Sequence, residues 1–93
     1  MGINITFDEI TKLGLSELIR NSSEEYIRVT VVGNGCGKPA YDIYPSFKDE
    51  EDIEVIINGI KFVISQEDKI LCSDIEIKYD KETYNNGFYV RMI

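Results

Sequence analysis

The sequence contains no histidine and only two cysteines. Without histidine, the protein has no Ser-His-Asp or Cys-His nucleophile pair, no histidine-ligated zinc and no imidazole general base. The two cysteines, Cys36 and Cys72, are too few for a disulfide framework or for a four-thiolate metal site within one chain. These absences exclude the common histidine-dependent enzymes and closed structural zinc sites.

Basic residues are scarce relative to acidic ones, 10 against 17, and the net charge is −7. Such a charge repels phosphate, which disfavours nucleic-acid backbones and anionic membranes as partners. The longest apolar runs are short, as at residues 55–57, and the first five residues lack the basic and apolar regions of a signal peptide. We therefore expect a cytoplasmic protein with neither a nucleic-acid partner nor a membrane partner.

The length of 93 residues corresponds to one domain, spanning residues 1–93. Hydrophobic residues make up 43% of the chain and charged residues 29%, which is ordinary for a globular protein and argues against disorder. A chain of this size hides about 60–65% of the surface of its unfolded form. The sequence therefore predicts one modest core.

An N-terminal helix is predicted from Thr6 to Arg20. Thr6 and Glu9 have the spacing of a capping box, in which each satisfies the other's backbone amide. Apolar residues at helical spacing predict a wide buried face, with polar residues opposite. The predicted apolar face consists of Phe7, Ile10, Leu13, Leu15, Leu18 and Ile19.

After the helix the hydrophobic period changes to two, which is typical of strands. Asn58-Gly59, between two apolar segments, is a strong hairpin signal, and Pro45 ends its strand or places it at an edge. Ser65 predicts a short helix over residues 65–72. Strands are predicted at residues 26–32, 40–44, 53–57, 60–64, 74–79 and 88–93. This order indicates an α+β fold: a β-rich domain whose N-terminal helix packs on a mostly antiparallel, folded sheet.

The segment at residues 33–39 differs from the core strands and the ordinary turns, because three glycines surround one cysteine. Gly35 and Gly37 allow positive φ, which can turn backbone amides toward the Cys36 sulfur, and Lys38 is adjacent. Both effects favour a thiolate, which serves as a metal ligand, a cluster ligand or a redox thiol. The alternative is that the glycines only form a tight connection between strands.

Several motifs in this order resemble the HesB/IscA-like, or A-type, iron–sulfur cluster assembly proteins. The resemblance is carried by the helix opening at residues 5–9, by the strand at 27–32 running into Gly33-Asn34-Gly35-Cys36-Gly37, and by the segments at 60–67, 75–79 and 86–90. It covers nearly the whole chain and implies a small β-rich domain. It also implies binding of iron or a [2Fe–2S] cluster through cysteines, often at a dimer interface.

Of the three ligand cysteines of that family, the first corresponds to Cys36. The family's later Cys-x-Cys pair has no counterpart up to Ile93, so the resemblance is to a short variant. A homodimer would supply two Cys36 thiolates to a cluster that needs four ligands. The other ligands would come from an exogenous thiol, from an assembly or acceptor protein, or from oxygens such as those of Tyr41 or Asp42.

Two other hypotheses remain open on the residues alone. A HesB-like domain without metal would act as a protein-interaction module, with Tyr26, Tyr41, Tyr44 and Tyr89 as candidate contacts. A thiol enzyme or redox sensor would use Cys36 activated by Lys38 and backbone amides.

The remaining candidate positions have ordinary interpretations. Cys72 ends an apolar run and is predicted to be a buried thiol. The acidic run at residues 49–52 is predicted to be a solvated loop rather than a cation site. No pair of carboxylates has a pattern that assigns acid–base catalysis, and we predict that the protein is not an enzyme.

Overall fold

A computed structural model of the chain describes residues 2–33, 39–82 and 87–93. In these residues one α-helix and seven strands are present, with a 3-10 turn at Gln66–Asp68 between the fifth and sixth strands. In chain order the elements are β1 (Asn4–Thr6), α1 (Glu9–Arg20), β2 (Tyr26–Gly33), β3 (Ala40–Ser46), β4 (Ile53–Ile57), β5 (Ile60–Ile64), β6 (Asp74–Tyr79) and β7 (Phe88–Met92).

The strands of the described residues form two sheets, in the orders β1-β6-β7 and β3-β2-β5-β4. The β2–β3, β4–β5 and β6–β7 pairs are antiparallel, whereas β1–β6 and β2–β5 are parallel. The predicted α+β class, with one helix on mostly antiparallel strands, is confirmed, and both sheets are mixed. Pro45 lies within β3, which is an edge strand as predicted.

The start of the chain differs from the prediction. Thr6 belongs to β1, which pairs in parallel with β6, so Thr6 does not cap the helix. Asp8 is the N-cap instead, and its carboxylate accepts a hydrogen bond from the Thr11 amide at 2.8 Å. Hydrogen bonding with the Thr11 side chain, and secondly with the Thr11 amide, lowers the pKa of Asp8. The predicted capping box is therefore wrong, because the strand takes the residue that would have formed it.

The helix turns a different face to the core from the predicted one. Leu15 is fully buried as predicted, but Ile10 and Leu13 are 64% and 67% exposed. Thr11 and Gly14 are buried in their place. A methyl group at Gly14 would lie 3.0 Å from the Tyr79 ring, so the absence of a side chain lets the helix approach β6 closely.

The core lies between the helix and the two sheets. Phe7 and Phe62 contact each other with ring centroids 5.8 Å apart, and the rings of Tyr79 and Phe88 pack in a tilted arrangement with centroids 4.6 Å apart. The fully buried apolar side chains come from every layer and include Leu15, Ile27, Val29, Phe62, Ile64, Cys72 and Ile75.

The predicted Asn58-Gly59 hairpin is confirmed. Asn58 has φ 50° and Gly59 has φ 84°, and the turn joins β4 to β5 with Ile57 paired to Ile60. Positive φ at both central residues is the geometry of the turn that matches the twist of an antiparallel pair.

Two loops differ from their predictions. Residues 65–72 contain only the short 3-10 turn rather than a helix of that length. In the acidic run, residues 49–51 are exposed, but the Asp52 side chain is only 7% exposed and forms an ion pair with Arg28 at 2.5 Å. Asp52 also accepts a hydrogen bond from the Asp49 amide at 2.9 Å, so it closes the loop after β3.

Candidate functional site

The connection between β2 and β3 contains the sequence-predicted site. Cys36, Gly35 and Gly37 lie outside the described residues, so the assignment of these three positions stays a prediction. The strands on either side of the connection are described up to Gly33 and from Pro39 onward. We call the end of this hairpin that adjoins the connection the hairpin base, and the structure shows which contacts hold it.

The base of the hairpin has a register that changes just before the connection. Val31 faces Tyr41 across the β2–β3 pair, and after an irregularity Gly33 faces Ala40. The shift means that one strand has an extra residue there, which bends the pair locally. The Val31–Tyr41 pair is thus the last regular pair before the segment that contains Cys36.

Asp68, at the end of the 3-10 turn, contacts the β2 side of this base. Its Oδ2 atom accepts hydrogen bonds from the Thr30 hydroxyl at 3.2 Å and from the Val31 amide at 3.3 Å. The same oxygen accepts from the Ser65 hydroxyl at 3.2 Å. A carboxylate suits this position because it is purely an acceptor and can take several donors at once.

Tyr41 contacts the same turn from the β3 side. Its hydroxyl donates a hydrogen bond to the Leu71 carbonyl. Burial raises the pKa of Tyr41, and the nearby Cys72 sulfur adds to the rise. The neutral phenol is therefore favoured, and this geometry argues against Tyr41 as a phenolate ligand.

Cys72 is fully buried beneath the hairpin base, as the sequence predicted. Burial, with a smaller contribution from Asp68, raises the pKa of the Cys72 thiol to about 12. A thiol that stays protonated and has no access to solvent is neither a nucleophile nor a metal ligand. Cys72 therefore belongs to the core.

A groove of about 600 Å³ begins next to the connection. It lies between the edge strands β3 and β7 and is lined by residues 39–43 and 88–93. Asp42 is exposed here, and its Oδ1 atom accepts a hydrogen bond from the Ile43 amide at 2.9 Å. Asp42 is the carboxylate among the residues that line this groove.

The tyrosines proposed as contacts divide into two groups. Tyr44 and Tyr89 are exposed, at 40% and 46%, and suit contact with another molecule. Tyr26 is half-buried, and its hydroxyl lies 3.4 Å from Glu54. Tyr41 is half-buried and anchors the hairpin base.

Within residues 2–33, 39–82 and 87–93, no three His, Cys, Asp or Glu side chains meet in a way that could hold a metal ion. In the same residues no helix has both the length and the apolar character needed to cross a membrane. Asp68 and its contacts were missed by sequence reasoning, because Thr30 and Asp68 are 38 positions apart.

The fold is that of the A-type iron–sulfur assembly proteins. The chain is similar to SufA from Escherichia coli, a protein involved in the biosynthesis of iron–sulfur clusters, with a TM-score of 0.74 and 18% identity over 95% of this chain and 79% of SufA. It is also similar to IscA, crystallised with a [2Fe–2S] cluster, with a TM-score of 0.70 and 18% identity over 95% of this chain and 82% of IscA.

A third solved structure of the same fold comes from Aquifex aeolicus. Its TM-score is 0.71, with 19% identity over 100% of this chain and 95% of that protein. No protein-family model matches the sequence, and no curated protein sequence is significantly similar to it. At these identities the comparison establishes the fold, and the resemblance noted from sequence motifs is confirmed at that level.

Proposed function

We propose that the protein functions in iron–sulfur cluster assembly and takes iron or a [2Fe–2S] cluster as cargo through Cys36, at the interface of a homodimer. The observation that carries the proposal is the shared fold with SufA and IscA, the second of which holds a [2Fe–2S] cluster. In this sequence a cysteine flanked by glycines connects two paired strands of that fold.

The donor atoms of this chain favour loosely held cargo. A [2Fe–2S] cluster has four protein ligands, usually thiolates, and one chain offers only Cys36, because Cys72 is buried and protonated. Tyr41 is engaged with Leu71, which leaves the Asp42 carboxylate as an oxygen donor near the connection. Two copies would supply two thiolates, and exogenous thiols, Asp42 or an acceptor protein would complete the set.

Cargo held in this way exchanges readily, which suits transfer between proteins better than catalysis. The proposal therefore describes a non-enzymatic protein with an assembly or acceptor protein as partner. We place it in the cytoplasm, where thiols stay reduced. Neither nucleic acid nor membrane is among the proposed partners, since the net charge of −7 repels nucleic-acid phosphates and anionic membrane surfaces.

Anaerobic reconstitution with iron and sulfide tests the proposal. Visible absorbance, iron per chain and molar mass by light scattering are measured for the wild type, Cys36→Ser and Cys72→Ala. We expect the wild type to gain colour together with dimer formation, and Cys36→Ser to lose both. Cys72→Ala is the matched control, since it removes the buried thiol and should keep the colour.

A colourless wild type would overturn the proposal. The groove between β3 and β7 then favours the second candidate function, a metal-free module that binds a protein partner. Titration with an iron–sulfur acceptor protein, followed by NMR, should shift the resonances of β3 and β7, including exposed Tyr89. Equal shifts for the wild type and Cys36→Ser would identify binding that does not need the thiol.

Alkylation separates the third hypothesis, a reactive thiol without metal. Such a thiol would react at neutral pH in the metal-free protein far faster than Cys72. A Cys36 rate equal to that of a free model thiol would exclude an activated thiolate.

A further inference from the structure

The turn between β5 and β6 contacts both strands of the β2–β3 hairpin at the same level. Asp68 binds the Val31 amide of β2, and the Leu71 carbonyl binds the Tyr41 hydroxyl of β3. Val31 and Tyr41 face each other as the last regular pair of the hairpin. One turn therefore holds both strands immediately before the connection that contains Cys36.

The Asp68 carboxylate is itself firmly positioned. Its backbone amide donates to the Ser65 carbonyl at 3.0 Å, and its carbonyl accepts from the Cys72 amide at 3.0 Å. The Ser65 hydroxyl donates to Oδ2 at 3.2 Å, alongside the donors from β2. Because the backbone is held on both sides of Asp68, the carboxylate can act as a rigid anchor for Thr30 and Val31.

The need for such an anchor follows from the sheet. β5 pairs with β2 at Ile27 and Arg28 and ends at Ile64, so β2 continues past the strand beside it. A backbone amide that loses its strand partner needs another acceptor. Asp68 supplies that acceptor for Val31 on the side of β2 where β5 has ended.

We infer that Asp68, assisted by Tyr41, is a positioning residue that sets the base of the Cys36 connection and thereby its capacity to hold cargo. The inference rests on the proposed function for its cargo readout. Its structural half, that Asp68 and Tyr41 hold the Val31–Tyr41 pair, is measurable in the protein without cargo.

The first experiment measures amide hydrogen exchange in the wild type and in Asp68→Ala. We expect exchange of the Val31 amide to rise at least tenfold, while the Ile75 and Ile77 amides of β6 stay protected. Unchanged exchange at Val31 would overturn the inference whether or not the protein takes up iron. If Asp68→Ala does not fold, Thr30→Val replaces it in this experiment, because it removes only one hydrogen-bond donor to Asp68.

The second experiment measures cargo by visible circular dichroism and by the rate of cluster loss to a chelator. Asp68→Ala should lose its cluster several-fold faster than the wild type and show an altered spectrum, and Tyr41→Phe should show a smaller change. Asp68→Asn keeps one carbonyl acceptor and should restore part of the wild-type behaviour.

Asp8→Ala is the matched control. Asp8 also uses a carboxylate to accept a backbone amide, that of Thr11, but at the N-terminus of α1. It should lower stability without changing the spectrum or the rate of cluster loss. Equal cluster loss in both variants would reduce Asp68 to a general structural role and overturn the inference.

The outcomes also separate this inference from the proposed function. If the wild type takes up no iron but Asp68→Ala speeds amide exchange at Val31, the cargo is rejected and the anchor is retained. A wild type that takes up a cluster, with Val31 exchange unchanged in Asp68→Ala, would retain the cargo and reject the anchor.

Discussion

The β4–β5 and β2–β3 hairpins achieve their register in opposite ways. In β4–β5 the two residues Asn58 and Gly59 make the turn by their own backbone angles, with φ 50° and 84°. In β2–β3 the base near the connection is held from outside, by Asp68 and by the Leu71 carbonyl. The first hairpin is determined locally, whereas the second depends on residues 30 to 38 positions away.

The far end of the β2–β3 hairpin is also held from outside. The Arg28 guanidinium binds the Ser46 hydroxyl at 3.1 Å and the Phe47 carbonyl at 2.9 Å, in addition to its ion pair with Asp52. The hairpin that carries the candidate site is therefore anchored at both ends by side chains.

The largest predicted effect comes from breaking the anchor at the far end. In Asp52→Ala the Arg28 guanidinium, whose side chain is 13% exposed, loses its charge partner, and the Asp49 amide loses its acceptor. Leaving a mostly buried charge unpaired costs about 3 kcal/mol. The free energy of unfolding, measured with urea at pH 7, should fall by that amount. A loss below about 1 kcal/mol would mean that the anchor is dispensable.

Acid should weaken the same anchor in the wild type. The Arg28 hydrogen bond lowers the pKa of Asp52, so the stability from this pair is complete above about pH 4, near the unfolded pKa. It is lost as the pH falls through the lowered folded-state pKa. In the wild type, the urea concentration at the unfolding midpoint should therefore fall as the pH is lowered below about 4. Asp52→Ala should show a shallower drop, and equal slopes would contradict the assignment.

The β6–β7 hairpin combines a local determinant, like that of β4–β5, with a tertiary contact, like those of β2–β3. Gly87 has φ 81°, and a methyl group there would lie 2.9 Å from the Tyr79 ring. Gly87→Ala combines backbone strain with a collision in the core, at a cost of about 2 kcal/mol. Thermal unfolding should show the loss, and Tyr79→Leu in the same background should recover part of it. No recovery would assign the whole cost to the backbone.

The locally determined hairpin should be less sensitive to the same substitution. Gly59 also has positive φ, 84°, but a methyl group there would meet no atom within 4 Å. Gly59→Ala therefore carries the strain alone, about 1 kcal/mol. Comparing its urea midpoint with that of Gly87→Ala isolates the contribution of the Tyr79 contact. A larger loss at Gly59 than at Gly87 would invert the comparison.

The smallest effect is expected at the surface of the other sheet. Arg91 contacts Glu76 across the β6–β7 pair at 2.7 Å, but the two side chains are 55% and 23% exposed. Exposed pairs contribute about 0.5 kcal/mol because water and salt screen them. Arg91→Ala should shift the urea midpoint by no more than that, and a shift as large as that of Asp52→Ala would be unexpected.

Local patterns predicted much of this fold. Alternation located the strands from β2 onward, and Asn58-Gly59 predicted its turn, because both signals reside in neighbouring residues. β1 was missed because three residues carry too little pattern, and Ile5 finds its partner Ile75 at the far end of the chain. The helix face was misjudged because the close approach at Gly14 decides which side is buried.

The candidate site was predicted to a lesser extent. The glycines around Cys36 and the buried state of Cys72 are readable from short segments. The contacts of Asp68 with Thr30 and Val31 are not, since nothing in residues 65–72 indicates that a carboxylate there replaces a missing strand. Anchors of this kind arise from tertiary packing and become visible only in three dimensions.

The position of the two prolines has a consequence for behaviour at high concentration. The chain has two prolines, Pro39 just before β3 and Pro45 within it. An edge strand attracts strands from other molecules, and proline offers no amide to such an intruder. The few residues between the prolines leave room for only a short intermolecular ladder. The edge beside the candidate site is thereby shielded against fibril growth.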